Sequence, residues 1–426
     1  MIKYLRLLFF WGIILLNSNE NIAQAQVNIS KIYDGTIKTV ELRNPLDRFA
    51  PPILVLNAGN SQLTCGFDDL KGSIRQYRYT VIHCNADWTQ SRLWPNEYIN
   101  GISEDRINDA KPSFSTRVAY THYTFQFPTS SMQFTRSGNY LLKVYEENNP
   151  SNICFTYRFY VVEPMASVIG TVSKSSSVEQ SDSYQEVDFQ VSTNSYLIDP
   201  RNNVCVNVIQ NGRDNNPLRL RPKQVIGNNL DFNYDNGENV FPAGNEFRRF
   251  NISSVRNAMD HVSEVSVIGD TCSALLVPDK VRAFKNYLSE NDINGNFLPN
   301  TIDYQNSDTE GEYVKVRFFL EFSMPVNKGK IIVSGRFSQW DPASGFVLNY
   351  VPSLKGYVGE GLLKQGYYDY IYLYYPEENT PGLTSLVEGD YSETQNEYQL
   401  FVYYHKPGEV YDRLIGTGIL GKTKGN

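Results

Sequence analysis

The chain reads as an all-β protein made of tandem β-sandwich units, and three observations predict this. Thirty tyrosines and twenty-three phenylalanines are spread through short runs in which apolar and polar residues alternate. Val314, Val316, Phe318, Leu320 and Phe322 form the cleanest run, and Tyr123, Phe125 and Phe127 with Val187, Phe189 and Val191 repeat the pattern. Aromatic and β-branched side chains on one face, polar ones on the other, suit half-buried antiparallel strands. Long segments of 3.6-residue period are missing; Val281 to Leu288 is the best helical candidate, and it is short.

Residues 1–25 read as an export signal. Lys3 and Arg6 precede an apolar core from Leu7 to Leu16, and Ala23-Gln24-Ala25 offers a small-residue cleavage pattern. The apolar run is too short for a membrane span, which takes about 20 residues. The mature chain is expected from Gln26, as an exported protein, and is too long for one compact core. A net charge of −7 without basic clusters speaks against nucleic acid and anionic lipid as partners. The five cysteines, Cys65, Cys84, Cys154, Cys205 and Cys272, include no C-x-x-C pair. Zero, one or two disulfides stay open for an exported chain, and the spacings suggest no metal site.

The first unit is expected over 26–164. Its most specific stretch is YRYTVIHCNADW, Tyr77 to Trp88, a strand pattern followed by a turn and a large aromatic anchor. Further on, Gly138 to Val144 resembles the tyrosine corner of immunoglobulin-like sandwiches, with Leu142 where an antibody domain carries its second cysteine. Ser173 to Ser183 is polar and Ser-rich and reads as a flexible loop or linker. A second sandwich is expected over 165–305, with strands at Val204 to Ile209 and Val262 to Ile268. Asn291 to Gly311 leads into a third over 306–416, and 417–426 reads as a frayed tail.

The apparent chemical motifs weigh little. Gly416 to Thr423 matches the phosphate-loop pattern letter for letter, but that loop needs a helix behind it, and only three residues follow. Asp231, Asn233 and Asp235, and the turn Asp292-Ile293-Asn294-Gly295-Asn296, lack the glycine and glutamate spacing of a helix–loop–helix calcium site. His83, His122, His261 and His405 are scattered. His83 and Cys84 are strand neighbours that point to opposite faces, which argues against a nucleophile–base pair. Trp340 is the remaining ligand candidate: a Trp can stack on a sugar ring, and its ordinary role as a packing anchor is the preferred reading.

Two pieces of the third unit, Val333 to Trp340 and Leu363 to Tyr372, resemble the early-set sandwich that accompanies glycan-binding modules of the glycogen-binding type. Over nearly the whole mature chain the sequence resembles the plug protein family of the bacterial type IX secretion system. The matching pieces include IHCNADW (Ile82 to Trp88), YTHYTFQFP (Tyr120 to Pro128), SGNYLLKVYE (Ser137 to Glu146), RFYVVEP (Arg158 to Pro164), LLKQGYYDY (Leu362 to Tyr370) and YDRLIG (Tyr411 to Gly416). The resemblance implies a periplasmic, non-enzymatic protein that closes the pore of a large outer-membrane β-barrel translocon, with no cofactor, no metal and no span of its own. It fixes no pore-contact residue. The alternative is a periplasmic carbohydrate-binding protein using Trp340. A membrane barrel fits less well, because its strands run about 9–11 residues and most runs here are shorter.

Overall fold

The computed structural model describes residues 28–59, 61–377 and 380–421; the export signal expected over 1–25 and residues 422–426 lie outside them. The fold is all-β, as the alternation predicts. The α-helices among the described residues are single turns of four residues, Pro95–Tyr98, Pro200–Asn203 and Ser307–Glu310. None is long and apolar enough to cross a membrane.

The first unit packs two sheets face to face. One runs in the order Lys31–Ile32, Asn149–Val162, Gly138–Glu146, Tyr77–Cys84, Glu104–Ile107, and the other Ile37–Arg43, Leu63–Asp69, Thr121–Phe127, Asp109–Pro112. Tyr77, Tyr79 and Val81 alternate inward, and Leu142 pairs with Val81 on one side and Tyr157 on the other. Phe67, Tyr123, Phe155 and Phe159 fill the space between the sheets. The expected tyrosine corner is present: the Tyr140 hydroxyl donates to the Arg136 carbonyl at 2.8 Å. A second corner stands in the third unit, where the Tyr368 hydroxyl donates to the Lys364 carbonyl at 2.6 Å.

The second unit differs from the linear division. One sheet is local, with Ala166–Lys174 beside Tyr184–Thr193, Asn229–Asp231 and Gln224–Ile226. The other takes half its strands from the chain's far end, in the order Leu218–Leu220, Val204–Gln210, Glu397–Tyr404, Arg413–Gly421. Val204–Gln210 would otherwise be an open apolar edge. The third unit is therefore threaded between strands of the second, and the boundary expected at 305/306 does not describe the pairing. Ser173 to Ser183 is no linker between units: Lys174 pairs with Gln185, so the segment closes a hairpin.

The phosphate-loop match is also explained. Thr417 pairs with Phe401 and Gly421 with Glu397, so this part of the expected tail is strand. Its glycines serve close packing: a Cβ on Gly416 would lie 2.7 Å from the Ala166 carbonyl, and one on Gly418 would lie 2.8 Å from Val168.

In the third unit a long ribbon of strands runs from Arg248–Asn251 through Gly366–Tyr375, Lys330–Ser334, Phe346–Val351, Gly356–Lys364, Tyr313–Glu321 and Thr271–Leu276 to Val262–Ile268. It folds over a core in which Phe318 meets Tyr370 edge-on, ring centroids 5.5 Å apart. Val281 to Leu288 forms no helix. Arg282 is drawn to the buried Glu388 at 2.7 Å, the Tyr287 hydroxyl donates to Glu246, and the amides of Arg282 and Ala283 share the Val387 carbonyl. These anchors hold the segment flat against the unit, and Phe284 points out to solvent.

Candidate functional site

The residues singled out in the sequence form no common site. Trp340 is 2% exposed, packed against Phe247 with the Arg213 guanidinium 5.7 Å from its ring. A ring so covered offers no platform to a sugar. Asp235 pairs with Lys223 at 2.7 Å on the surface, while Asp292 accepts from the amides of Phe247 and Asn294. No group of acidic, histidine or cysteine side chains among the described residues is arranged to hold a metal.

His83 and Cys84 do face opposite ways. The His83 ring packs edge-on to Tyr140 and Tyr411, and its Nε2 lies 3.0 Å from the Ser137 carbonyl. Burial pulls its pKa down to about 4, so it is neutral at physiological pH. The Cys84 sulfur accepts from Asn28, and burial pushes its thiol up to about 12. All five cysteines are buried and free, and burial suppresses the reactive thiolate. We expect the native protein to react slowly with a thiol reagent such as Ellman's reagent and to release all five thiols on unfolding without reductant. Fewer than five would mean that a bridge forms.

What the fold does assemble is a pair of inter-unit junctions. The stretch that ends YRYTVIHCNADW is the socket of the first. Val204–Gln210 and Glu397–Tyr404 are buried on both faces: Val206 and Val402 point into their own unit, and Cys205, Phe401 and Tyr403 point at the first. There Phe401 stacks on Tyr160 at 3.9 Å between centroids. Trp88 stands beside Tyr160 with the Arg158 guanidinium 4.4 Å from its ring. The turn Asn85-Ala86 is satisfied by distant residues: Asn139 donates to the Asn85 carbonyl at 3.0 Å, Asn207 to the Ala86 carbonyl at 2.7 Å, and the Ala86 amide donates to Asp412 at 2.9 Å. IHCNADW and YDRLIG thus meet in space.

The second junction centres on Asp68, fully buried on the outer face of the first unit. Its Oδ2 accepts from Lys364 Nζ at 2.8 Å and from the Tyr313 hydroxyl at 2.7 Å, both of the third unit; its Oδ1 lies 2.6 Å from His122 Nδ1. Burial by itself raises a carboxyl pKa, but the Lys364 ammonium and His122 hold Asp68 below its ordinary range. The ammonium also sits 4.3 Å from the Tyr120 ring centroid, a cation–π contact. Glu312 receives the amides of Arg117 and Val118 at 2.6 and 3.2 Å.

Thr124, His122 and Asp68 stand in the hydrogen-bonded order of a hydroxyl–imidazole–carboxylate relay, at 2.9 and 2.6 Å. In such a relay the carboxylate stabilises the imidazolium; here Lys364 already matches its charge. The arrangement is that of a structural node. Sequence reasoning missed Asp68, Lys364 and Asp412, because each is polar, isolated in its motif and meaningful only through a partner far along the chain.

A family model described as "Type 9 secretion system plug protein 1st domain" matches residues 37–163. Among solved structures, the crystal structure of a hypothetical protein from Parabacteroides merdae ATCC 43184 is similar with a TM-score of 0.88 and 33% identity, covering 93% of this chain and 100% of that one. Native E. coli alpha-2-macroglobulin aligns with a TM-score of 0.18 and 9% identity over 94% of this chain and 23% of that one, a likeness that carries no argument. No curated protein matches the chain. The chain therefore belongs to one family with the Parabacteroides merdae protein, and its first unit matches the first domain of type 9 secretion system plug proteins, which ties it to type IX secretion.

Proposed function

We propose that this protein is a periplasmic plug that binds the outer-membrane β-barrel translocon of the type IX secretion system and closes its pore, without catalysing a reaction. The match of residues 37–163 to the plug first domain carries this reading. The two junctions support it physically. A body whose units are already fixed to one another by Asp68–Lys364 and by the Tyr160–Phe401 stack loses little conformational freedom on docking, so more of the contact energy remains as affinity. Burial of Trp340 removes the residue on which the carbohydrate-binding alternative rests. Affinity purification of the tagged protein from detergent-solubilised envelopes is expected to recover one very large outer-membrane barrel. Recovery of no such barrel sinks the proposal.

A further inference from the structure

Independently of that reading, the geometry points to a binding site for a small oxyanion, a carboxylate or a phosphate-sized group, in the cavity where all three units meet. The first unit contributes Tyr157 and Arg158, the second Gly212 and Asp214, and the third Arg336, Gln339 and Trp340. The cavity measures about 40 Å³. A buried water needs roughly 10–15 Å³ on this measure, so the space suits a group of about three waters' size and excludes a nucleotide or a sugar ring.

Its lining is rich in donors. Gln339 is 6% exposed, and neither its amide nitrogen nor its oxygen has a hydrogen-bond partner; the indole N–H of Trp340, which can only donate, has none either. Buried polar groups of this kind are ordinarily satisfied. Two guanidinium groups face a single carboxylate among the lining residues, and that carboxylate, Asp214, is engaged by Arg158 at 3.2 Å. Arg158 is further occupied by the Asn28 carbonyl. Arg336 hydrogen-bonds Tyr157 and lies within the field of Asp214, yet it makes no ion pair of its own among the described lining residues, and it stands beside two unused N–H donors. Guanidinium and oxyanion match in charge and in planar geometry. Gly212 keeps the place open: at φ +65° it accommodates the turn, and a Cβ there would lie 2.8 Å from Arg336 Nη1.

The test uses the purified mature chain in a chloride buffer at constant ionic strength, titrated separately with inorganic phosphate and with acetate, followed by calorimetry and thermal unfolding. We expect a saturable heat and a saturable rise in Tm with at least one of the two. Phosphate alone identifies a tetrahedral oxyanion as the ligand class, and acetate identifies a carboxylate. Arg336→Gln is expected to weaken binding about tenfold or more, the worth of one hydrogen bond to a charged group. Gln339→Glu supplies a carboxylate from within the fold and is expected to abolish the response to added anion while leaving the unperturbed Tm as high as before or higher. Absence of saturable binding by the native chain overturns the inference. So does binding that persists unchanged in both variants, which their circular dichroism shows to be folded.

Discussion

Lys364→Met is expected to lower the unfolding free energy by about 3–5 kcal/mol, the cost of leaving one member of a buried ion pair uncompensated. Lys364 and Asp68 are both fully buried; the Lys364 ammonium meets Asp68 and the Tyr120 ring across the junction and the Asp308 carbonyl within its own unit. Methionine keeps the stem of the lysine and removes the charge with its N–H donors. The loss of the cation–π contact accounts for about 2 kcal/mol of this, and the rest comes from Asp68, left with His122 and Tyr313 alone. Asp68→Asn combined with Lys364→Met should recover much of the loss, since neither charge then remains in the interface. Arg317→Met, which breaks an exposed pair with Glu360, is the control and should cost less than about 1 kcal/mol. Urea unfolding measures all four. A Lys364→Met protein within about 1 kcal/mol of the parent would show that this node does not hold the units together.

How much of this could be read in advance follows from what alternation encodes. Period-two runs such as Tyr77 to Cys84 reveal that a strand has a buried face, and the G-x-Y pattern at Gly138 placed a tyrosine corner that the Tyr140 hydroxyl completes. Alternation does not name the neighbouring strand. Val204–Gln210 and Glu397–Tyr404 pair residue for residue, yet nothing local to either reveals the other. Both are also buried on two faces, and for that reason their apolar content is nearly continuous. The same double burial hides Asp68: in Leu63–Asp69 Phe67 faces the core, while Asp68 faces the third unit. A polar residue on the outer face of a strand reads as solvated until its partner is seen. The glycines of Gly416 to Gly421 gave a false chemical signal for a related reason, since close backbone approach requires glycine whether the neighbour is a phosphate or a second sheet.

Stability is expected to fall as pH rises from about 6.5 to 8, with Asp369 as the largest single cause; between about 4 and 6.5 His83, whose pKa burial lowers to about 4 from an ordinary 6.5, contributes the opposite slope and offsets it. Asp369 is fully buried; its Oδ2 accepts from the amides of Ile293 and Gly295, and its Oδ1 has no partner. Burial first, and the charge of nearby Asp292 second, raise its pKa to about 8 from an ordinary 3.8. Between those values the folded protein holds a proton that the unfolded chain has lost, so unfolding releases a proton and rising pH favours it. The contribution of Asp369 alone has a slope of about 1.4 kcal/mol per pH unit and amounts to on the order of 5 kcal/mol before it levels off above about pH 8. The acidic limb has the opposite sign and a different window. Glu388 is raised by burial but more strongly lowered by Arg248 and Arg282, to about 2 from 4.5, so its contribution is complete above about pH 4.5 and is lost toward pH 2. Asp369→Asn retains an oxygen for the two amides and removes the titrating proton. Urea unfolding at pH 5, 7 and 9 should therefore show no fall between pH 7 and 9 for this variant and greater stability than the parent at pH 9. Parallel profiles for the two proteins would place the buried proton elsewhere, with the Asp292 carboxyl, itself raised by burial, the next group to replace.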